Sequence, residues 1–438
     1  MFSSMVPAIL IGWIPAAILL FYWMPPRRAL IFGVLAATMF LPMGTIDLPF
    51  IVGQKGEFTA LGLLAGALIM EPWPLLAVRP RWIDLPMLCV CLVPAASAVT
   101  NGQDAYAAAA AVASAFCRWG ILYWLGRAYL TDLRSLWQLA NAYFIAGLIY
   151  APGCIFEVLL SPKLHKVVYG YNPFEDWQQA IRWGGYRPTM FMQHGLMVGT
   201  FMCGAAMVGV WLWWNKALRP TYYGVPSWVF VVFLVLVGIA CKSTGAVILM
   251  AAGLSVLIFA RQAHTRLAMY LLAAVPLLYV VARTIGEWSG SSAVEFAYEH
   301  FNADSGGSLQ MRFENENRMI ARAMQRPLFG WGNSDEFLKN DEGTNPSVPD
   351  GLWVIALGTT GTAGLAALFA AILIPAVALA WRFRNGPWDH PKMAAPAALA
   401  VLLIIYAADC LMNAMIDPVY AVALGGVAAV AVAKPGRE

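Results

Sequence analysis

Several arginines and one aspartate lie in polar segments that directly flank long apolar stretches. Arg182 and Arg187 precede one such stretch, and Asp350 precedes another that begins LWVIALGTTG. Guanidinium groups bind phosphate oxygens in a bidentate manner, so arginines from two segments could clamp a diphosphate at a membrane surface. A nearby carboxylate could accept a proton or orient a reactant. The other arginines of this set lie in the later polar segment and are Arg312, Arg318, Arg322 and Arg326.

Each of these residues also has a simpler interpretation. Asp350 stands immediately before a predicted helix, where aspartate commonly accepts hydrogen bonds from the first turn and opposes the helix dipole. On sequence alone we favour this capping role, which does not exclude a chemical one. For any single arginine beside a bilayer, we favour contact with water or lipid headgroups over contact with a substrate.

Polar side chains also interrupt the apolar stretches, where charged groups are costly and usually functional. Arg118 lies in AFCRWGIL, and His194 stands beside Gln193 about two turns into a predicted helix. These side chains could line a substrate cavity or hold helices together. For the other polar residues in or between these stretches we favour contacts that join helices; they are Lys242 and the pair Asp409 and Asn413.

The elements that must position these side chains are apolar helices. The chain has 438 residues and is 60% hydrophobic but only 12% charged, against roughly 25% charged residues in a soluble domain. Apolar stretches of about twenty residues, long enough to cross a bilayer, recur along it. We predict an all-α, polytopic membrane bundle of about 12 transmembrane helices (12–13) in a single domain, 1–438. The predicted spans are 6–23, 29–45, 57–78, 85–99, 108–130, 136–156, 189–214, 226–240, 244–260, 267–284, 351–381, 394–416 and 418–433.

Basic residues concentrate in the short connections between these spans, which places those connections in the cytoplasm. The two long polar segments, 157–188 and 285–350, then both become external loops. The larger loop contains a predicted amphipathic helix with arginines spaced by four residues on one face. The net charge of +4 therefore reports membrane topology, and we expect no nucleic-acid partner.

Signals for a metal or a bound cofactor are absent from the sequence. The seven cysteines lie mostly inside apolar stretches, and no cluster of His, Cys and carboxylate residues has metal-ligand spacing. There is no P-loop, no G-x-G-x-x-G after a strand and no H-E-x-x-H. We therefore expect neither a metal nor a cofactor.

Three segments together carry a family resemblance. In ARAMQRPLFGWGNSDEF (321–337) a helix ends in Pro-Leu-hydrophobic-Gly-x-Gly, and in DGLWVIALGTTGTAGL (350–365) a helix start leads to G-x-x-G. In GGYRPTMFMQHGLMVGTFM (184–202) a helix opens after an arginine and carries a polar pair, and KSTGAVILMAAG (242–253) is a weaker match to a Ser-rich helix start. Taken together in their order along the chain, these segments resemble the O-antigen ligase and Wzy-type polymerase superfamily of bacterial envelope glycosyltransferases.

The resemblance implies a GT-C-like enzyme of the bacterial inner membrane that acts on its periplasmic side and requires no metal. The donor would be an oligosaccharide on undecaprenyl diphosphate, and the acceptor a glycan or lipid A–core. Transfer would invert the anomeric centre. Arg187 and Arg312 would stabilise the departing diphosphate, and Asp350 would act as the base or orient the acceptor. The implied substrate-binding residues are Arg118, Arg182, Gln193, His194, Arg318 and Arg322.

One position departs from the family pattern. Where the family usually has histidine before the apolar helix, this chain has Asp350, whose ordinary pKa near 4 makes it a weaker base unless the pKa is raised. The change favours a polymerase of O-antigen or exopolysaccharide over a ligase. The alternative from another class is a transporter or flippase of lipid-linked glycans, with Arg118, His194 and Asp409 along its path. The absence of an internal repeat favours the enzyme.

Overall fold

The architecture is helical, with three short antiparallel hairpins in connections. The computed structural model describes residues 5–173, 180–182, 184–300, 303–332, 334–339, 350–384, 388 and 390–433. The remainder of the two predicted external loops, including 174–179 and 340–349, lies outside the described residues. The hairpins pair β1 (Ile46–Leu48) with β2 (Ile51–Gly53), β3 (Ile181–Arg182) with β4 (Gly185–Tyr186), and β5 (Thr221–Tyr222) with β6 (Val225–Pro226).

Within the described part of the chain, nine helical segments are long and apolar enough to cross a membrane. Two of them are composite: Trp82–Thr100 starts with a 3-10 turn, and Ala105–Tyr129 contains a π-helical turn at Phe116–Gly120. The nine contain α1 (Met5–Trp23), α5 (Leu85–Thr100), α6 (Ala105–Ala115) with α7 (Ile121–Tyr129), α8 (Leu133–Leu160), α10 (Gly195–Trp214), α12 (Thr244–Gln262), α13 (Leu267–Thr284), α17 (Leu352–Arg382) and α18 (Pro391–Asp409).

The remaining helices are too short or too polar to meet both criteria. They are α2 (Pro26–Phe40), α3 (Lys55–Met70), α4 (Trp73–Leu76), α9 (Leu164–Tyr169), α11 (Ser227–Ala240), α14 (Ser291–His300), α15 (Ala303–Ala323), α16 (Ser334–Leu338) and α19 (Pro418–Ala431). Every predicted span contains a helix, and the predicted helical architecture is confirmed, with several helices apolar and long enough for a multi-pass membrane protein. The count of twelve or thirteen spans stays a prediction, because several of these helices fall short of the length that crosses a bilayer.

Small residues allow the central helices to approach closely. Gly425 of α19 lies against α7, where an added Cβ would come 1.9 Å from the Tyr123 carbonyl oxygen. A Cβ on Gly126 of α7 would similarly come 2.1 Å from the Val422 carbonyl oxygen. Helix pairs in lipid gain stability from such close backbone packing, because lipid tails supply little hydrophobic drive between helices. The Ala/Gly-rich α19 therefore belongs to the bundle interior.

The segment 327–332 docks into a kink of α17 at Gly361, whose φ of +68° is a left-handed value that favours glycine. A Cβ there would lie 2.3 Å from the Leu328 carbonyl. The two backbones exchange hydrogen bonds from Trp331 N–H to Gly358 (2.8 Å), Gly332 N–H to Thr359 (2.9 Å), Thr362 N–H to Pro327 (2.7 Å) and Ala363 N–H to Leu328 (3.2 Å). Two of the segments that carry the family resemblance are thus in direct contact, and the chain that follows α15 is anchored on α17.

Candidate functional site

Residues from the two long connections meet at one end of the bundle. Arg182 and Arg187 come from the connection between α8 and α10, and Arg312 comes from α15. All three lie close enough to His194 to lower the pKa of its imidazole. We refer to these three guanidinium groups as the arginine cluster. The structure therefore places arginines from both predicted external loops around one point, while the membrane side that this point faces stays a prediction.

Arg187 is held rigidly just after the β3–β4 hairpin. Its backbone N–H donates to Ala180 (2.7 Å), and its Nε and Nη2 donate to the Lys242 carbonyl oxygen at 3.3 and 3.1 Å. The side chain packs against Gly195, where a Cβ would lie 2.5 Å from Arg187 Cδ. Burial, and then Arg182 and Arg312, lower the pKa of Arg187 to about 10, so the guanidinium remains charged at neutral pH.

Lys242 connects the α11–α12 junction to the same hairpin. The residue has a φ of +54° and presents its carbonyl oxygen to Arg187. Its ammonium lies against Gly185, because a Cβ there would be 2.0 Å from Lys242 Nζ. Lys242 thus joins two parts of the fold, in agreement with the structural role predicted for it, and adds a positive charge beside the arginine cluster.

The predicted position of His194 inside a helix is wrong. Helix α10 starts at Gly195, and His194 is its N-cap, with Nδ1 accepting a hydrogen bond from Leu196 N–H at 3.1 Å. Burial and the three cluster arginines lower the pKa of His194 to about 4, so the ring is neutral at pH 7. Because Nδ1 accepts, the neutral ring carries its hydrogen on Nε2 and can act there as a donor.

The stretch between Arg187 and His194 is held by Glu157, which sequence reasoning missed. This carboxylate near the end of α8 is fully buried and accepts hydrogen bonds from the N–H groups of Thr189 (2.8 Å), Met190 (2.7 Å) and Leu164 (2.9 Å). These bonds replace the helical turn that the apolar pattern predicted over 189–194. The available signal was an acidic residue inside the apolar run CIFEVLL.

The predicted N-cap role of Asp350 is also wrong. The N-cap of α17 is Gly351, and no side chain caps the helix. Its first N–H groups are instead satisfied by carbonyl oxygens that follow α18: Leu352 donates to Asn413 (3.1 Å) and Trp353 to Cys410 (3.2 Å). The Asp350 carboxylate is therefore available for another contact.

That contact is with Arg312 of the cluster. Asp350 Oδ2 lies 3.5 Å from Arg312 Nε, and 38% of the Asp350 side chain is exposed. Arg312 also donates from Nη1 to the Met412 carbonyl oxygen at 3.0 Å. Burial raises the pKa of Asp350 above its ordinary value, while Arg312 acts in the opposite direction. The ion pair thus joins Asp350, the predicted base, to Arg312, which is predicted to bind the diphosphate. The raised pKa makes the Asp350 carboxylate a stronger base than a free aspartate.

A buried network one helical turn beyond Arg312 fixes the orientation of α15. Glu316 is 2% exposed and accepts hydrogen bonds from Tyr279 Oη (2.7 Å), Arg283 Nε and Nη2 (3.2 and 3.1 Å) and Trp353 Nε1 (3.2 Å). The network connects α15 to α13 and to the first turn of α17. The network therefore keeps Arg312 within reach of Asp350, which lies two residues before the first turn of α17.

A polar cavity of about 210 Å³ is lined by Gln193, the residue that precedes His194. Arg118, in the π-helical turn, faces it and pairs with the buried Glu57 at 3.1 Å (Nε to Oε1). Lys55 also lines it and donates from Nζ to the Phe191 carbonyl oxygen at 2.7 Å. The other lining residues are Thr38, Met43, Gln54, Gly56, Met192, Met197, Ala414, Ile416 and Pro418. Gln193 and Arg118, both predicted to bind substrate, thus share one cavity.

Two predicted substrate-binding arginines lie elsewhere on α15. The Arg322 guanidinium stacks over the Trp331 ring at 3.7 Å from its centroid, and Arg326 stacks over the same ring at 4.2 Å. Arg318 is exposed. These contacts place Arg322 against the segment that docks on α17, whereas Arg312 reaches Asp350. Substrate contact by Arg318 and Arg322 stays a prediction.

The predicted pair of Asp409 and Asn413 forms a hydrogen bond of 2.6 Å from Asn413 Nδ2 to Asp409 Oδ1. It stabilises the chain reversal after α18 that supplies carbonyl oxygens to α17 and to Arg312. Among the described residues, no group of three or more His, Cys, Asp or Glu side chains is arranged to hold a metal ion.

No protein-family model matches the chain, and a search among curated proteins finds no similar sequence. The resemblance to the O-antigen ligase and polymerase superfamily therefore rests on the three motif segments alone.

Proposed function

We propose that the protein is a membrane glycosyltransferase that moves a glycan from undecaprenyl diphosphate to an acceptor hydroxyl during assembly of a bacterial surface polysaccharide. The observation that carries this proposal is the convergence of Arg182, Arg187 and Arg312 from two separate connections on His194, with Asp350 3.5 Å from Arg312. This arrangement is suited to a diphosphate ester and a nucleophile that must lose a proton.

The charge of the site supports a diphosphate donor. Arg187 is 7% exposed and touches no carboxylate among the described residues, where its Nε and Nη2 both donate to the neutral Lys242 carbonyl oxygen. Its positive charge is therefore not neutralised locally. A buried cation without a counterion is costly, and binding of a diphosphate would relieve that cost. Preorganised cations of this kind stabilise a leaving group that gains negative charge as its bond breaks.

In the proposed step, an acceptor hydroxyl oxygen forms a bond to the anomeric carbon of the donor glycan. The bond from that carbon to the diphosphate oxygen breaks, and its electron pair leaves with undecaprenyl diphosphate. The hydroxyl proton passes to Asp350, and the Arg187 and Arg312 guanidinium groups bind the diphosphate oxygens. His194 donates from Nε2 to the same anion, and Gln193 and Arg118 bind the glycan or diphosphate in the polar cavity. Attack opposite the leaving group inverts the anomeric centre.

Polymerase activity is proposed in preference to ligase activity. A polymerase transfers the growing chain to another lipid-linked repeat unit, whereas a ligase transfers it to lipid A–core. The preference rests on the aspartate at position 350, where the family usually has histidine. We propose that the site faces the periplasm and that the protein resides in the inner membrane, in line with the positive connections at the other end of the bundle.

Product analysis tests this function. Purified protein in nanodiscs is given undecaprenyl diphosphate-linked repeat units, with or without lipid A–core, and the products are resolved by size. A ladder from the donor alone is expected. A single new product that requires lipid A–core would instead identify a ligase. An unchanged donor in both reactions, from protein that is folded and monodisperse, would refute the glycosyltransferase proposal and favour a transporter of lipid-linked glycans.

A further inference from the structure

A second pocket lies at the opposite end of the bundle from the arginine cluster. It is an open pocket of about 790 Å³ where the end of α7, the start of α8, the end of α19 and the turn after α4 converge. The cluster lies near the other end of α8. Asp132 of the pocket precedes the first residue of α8, whereas Glu157, which holds the stretch between Arg187 and His194, lies close to its last residue. The pocket is lined by Pro74, Ala77, Val78, Arg79, Arg81, Arg127, Ala128, Thr131, Asp132, Ala429, Val432 and Ala433.

The polar lining of this pocket carries an excess of positive charge. Arg127 is neutralised by the buried Asp84, with Nε to Oδ1 at 2.7 Å and Nη2 to Oδ2 at 3.0 Å. Asp132 is neutralised by Arg27 at 2.8 Å. Arg79 and Arg81 then remain as two cations without a carboxylate partner among the residues that the structure describes.

The two remaining arginines both line the pocket. Arg81 donates from Nη1 to the Val432 carbonyl oxygen at 2.5 Å, and both residues line the pocket. Its other guanidinium N–H groups can still donate to a ligand. Arg79 is exposed and makes no hydrogen bond or ion pair within the described part of the chain. Two arginines in the lining of one pocket suit a phosphate group, which accepts bidentate hydrogen bonds.

The rest of the lining is apolar and belongs to helix ends at a membrane surface. Pro74, Ala77, Val78, Ala128 and Ala429 form this wall. A pocket of about 790 Å³ is much larger than a phosphate ion needs and has the size of sites that enclose whole organic ligands. Apolar walls beside two arginines match a phosphate that is attached to glycerol and acyl chains.

We infer that this pocket binds the headgroup of an anionic phospholipid, with the phosphate on Arg79 and Arg81 and the glycerol and upper acyl chains against the apolar wall. The pocket lies at the end of the bundle where the positive connections predict the cytoplasmic leaflet. Basic pockets between transmembrane helices on that side commonly hold anionic lipid headgroups. This inference is independent of the proposed reaction.

Lipid retention measured by native mass spectrometry tests the inference. The protein is released from nanodiscs that contain phosphatidylglycerol and phosphatidylethanolamine in equal amounts, and retained lipids are counted. Wild type is expected to retain phosphatidylglycerol in preference. The double variant Arg79→Gln, Arg81→Gln is expected to lose affinity for it by roughly 30-fold, and Arg79→Gln alone by roughly fivefold.

The matched control is Arg28→Gln, Arg219→Gln, which removes two exposed arginines from the same end of the bundle but outside the pocket lining. It changes the net charge equally and is expected to retain the lipid. Equal loss in both double variants, or equal retention of the two lipids by wild type, would overturn the inference. The double variant could disturb folding, because it removes the Arg81 bond to Val432. The single variant Arg79→Gln retains that bond and tests the inference in that case.

A second arm separates a lipid headgroup from soluble phosphate. The same protein is titrated with inorganic phosphate, with sodium chloride at matched ionic strength as the control. Bound phosphatidylglycerol is expected to remain, because a free phosphate lacks the apolar part of the ligand. Displacement of the lipid by inorganic phosphate but not by chloride would identify soluble phosphate as the ligand and would overturn the proposal of a lipid site.

Discussion

Replacing Glu316 with glutamine should loosen α15 and move Arg312 away from Asp350. Glu316 is 2% exposed and is the counterion of Arg283, itself 3% exposed. The glutamine side chain has the same size as glutamate and keeps one acceptor oxygen, but it lacks the negative charge that pairs with Arg283. Removing one partner of a buried ion pair destabilises the fold by about 3–5 kcal/mol. Because glutamine keeps one acceptor oxygen, we expect a loss near the lower end of this range.

The assay is hydrogen–deuterium exchange of the α15 amides in detergent-solubilised protein. A loss of about 3 kcal/mol from the local opening free energy accelerates exchange by roughly 150-fold. The effect should be confined to α15 and its neighbours, and glycosyl transfer should decline because Arg312 lies one turn from Glu316. The charge network would not control the position of α15 if its exchange stayed within about fivefold of wild type.

The matched control is Glu314→Gln on the same helix. Glu314 is exposed and accepts a hydrogen bond from Gln310 at 2.9 Å, and such surface changes usually stay within about 0.5 kcal/mol. Equal acceleration by Glu314→Gln and Glu316→Gln would show that net charge on α15, rather than the buried pair with Arg283, is responsible.

Three further predictions concern the site and its supports. Asp350→Asn should reduce turnover by roughly 10²–10⁴-fold without loss of folding, whereas near-normal turnover would exclude Asp350 as the base. Between pH 6.5 and about 4 the unfolded chain binds a proton at His194 that the folded protein does not, so stability should fall by about 3 kcal/mol as the pH is lowered through that range. Chemical denaturation should show a flatter pH profile for His194→Gln, and an unchanged profile would contradict the assigned pKa. Gly361→Ala should lower the thermal midpoint, because φ is +68° and Leu328 lies 2.3 Å from the new Cβ. Gly245→Ala should leave the thermal midpoint unchanged, because a Cβ at that position meets no atom within 4 Å. Equal shifts of the midpoint in the two variants would refute the steric reasoning.

The long apolar stretches predicted the location of the helices well but not their ends. Each predicted span contains a helix, because a long apolar stretch in a membrane has no other way to satisfy its backbone. The start of α10 was misplaced because Glu157, more than thirty residues earlier, supplies acceptors for Thr189 and Met190. Such a long-range hydrogen bond leaves no trace in the local pattern around 189.

The candidate site was predicted in part. Arg182, Arg187, Arg312, His194 and Asp350 come together as a group, since polar residues at the ends of neighbouring spans meet at one end of a bundle. The capping role of Asp350 failed because carbonyl oxygens after α18 cap α17 instead, a contact that depends on tertiary packing. The periodic spacing of arginines on α15 predicted their common face but not which of them reach the site.

Glu316 and Lys242 show a further limit of sequence reasoning. Glu316 lies in the polar run RFENENRM, where one buried glutamate cannot be distinguished from its exposed neighbours by local pattern. Lys242 contributes its carbonyl oxygen to Arg187, and a backbone acceptor has no sequence signature. Both depend on the partners that the fold brings to them.

The measurement that tests the central claim most directly is equilibrium binding of undecaprenyl diphosphate, which needs neither an acceptor nor turnover. Wild-type protein in nanodiscs should bind it in preference to undecaprenyl monophosphate. The variant Arg187→Gln, Arg312→Gln should lose at least about 100-fold in affinity, from two charged hydrogen-bonding groups, whereas Arg28→Gln, Arg219→Gln should bind as wild type does. Equal affinity of all three proteins for the diphosphate would contradict the account.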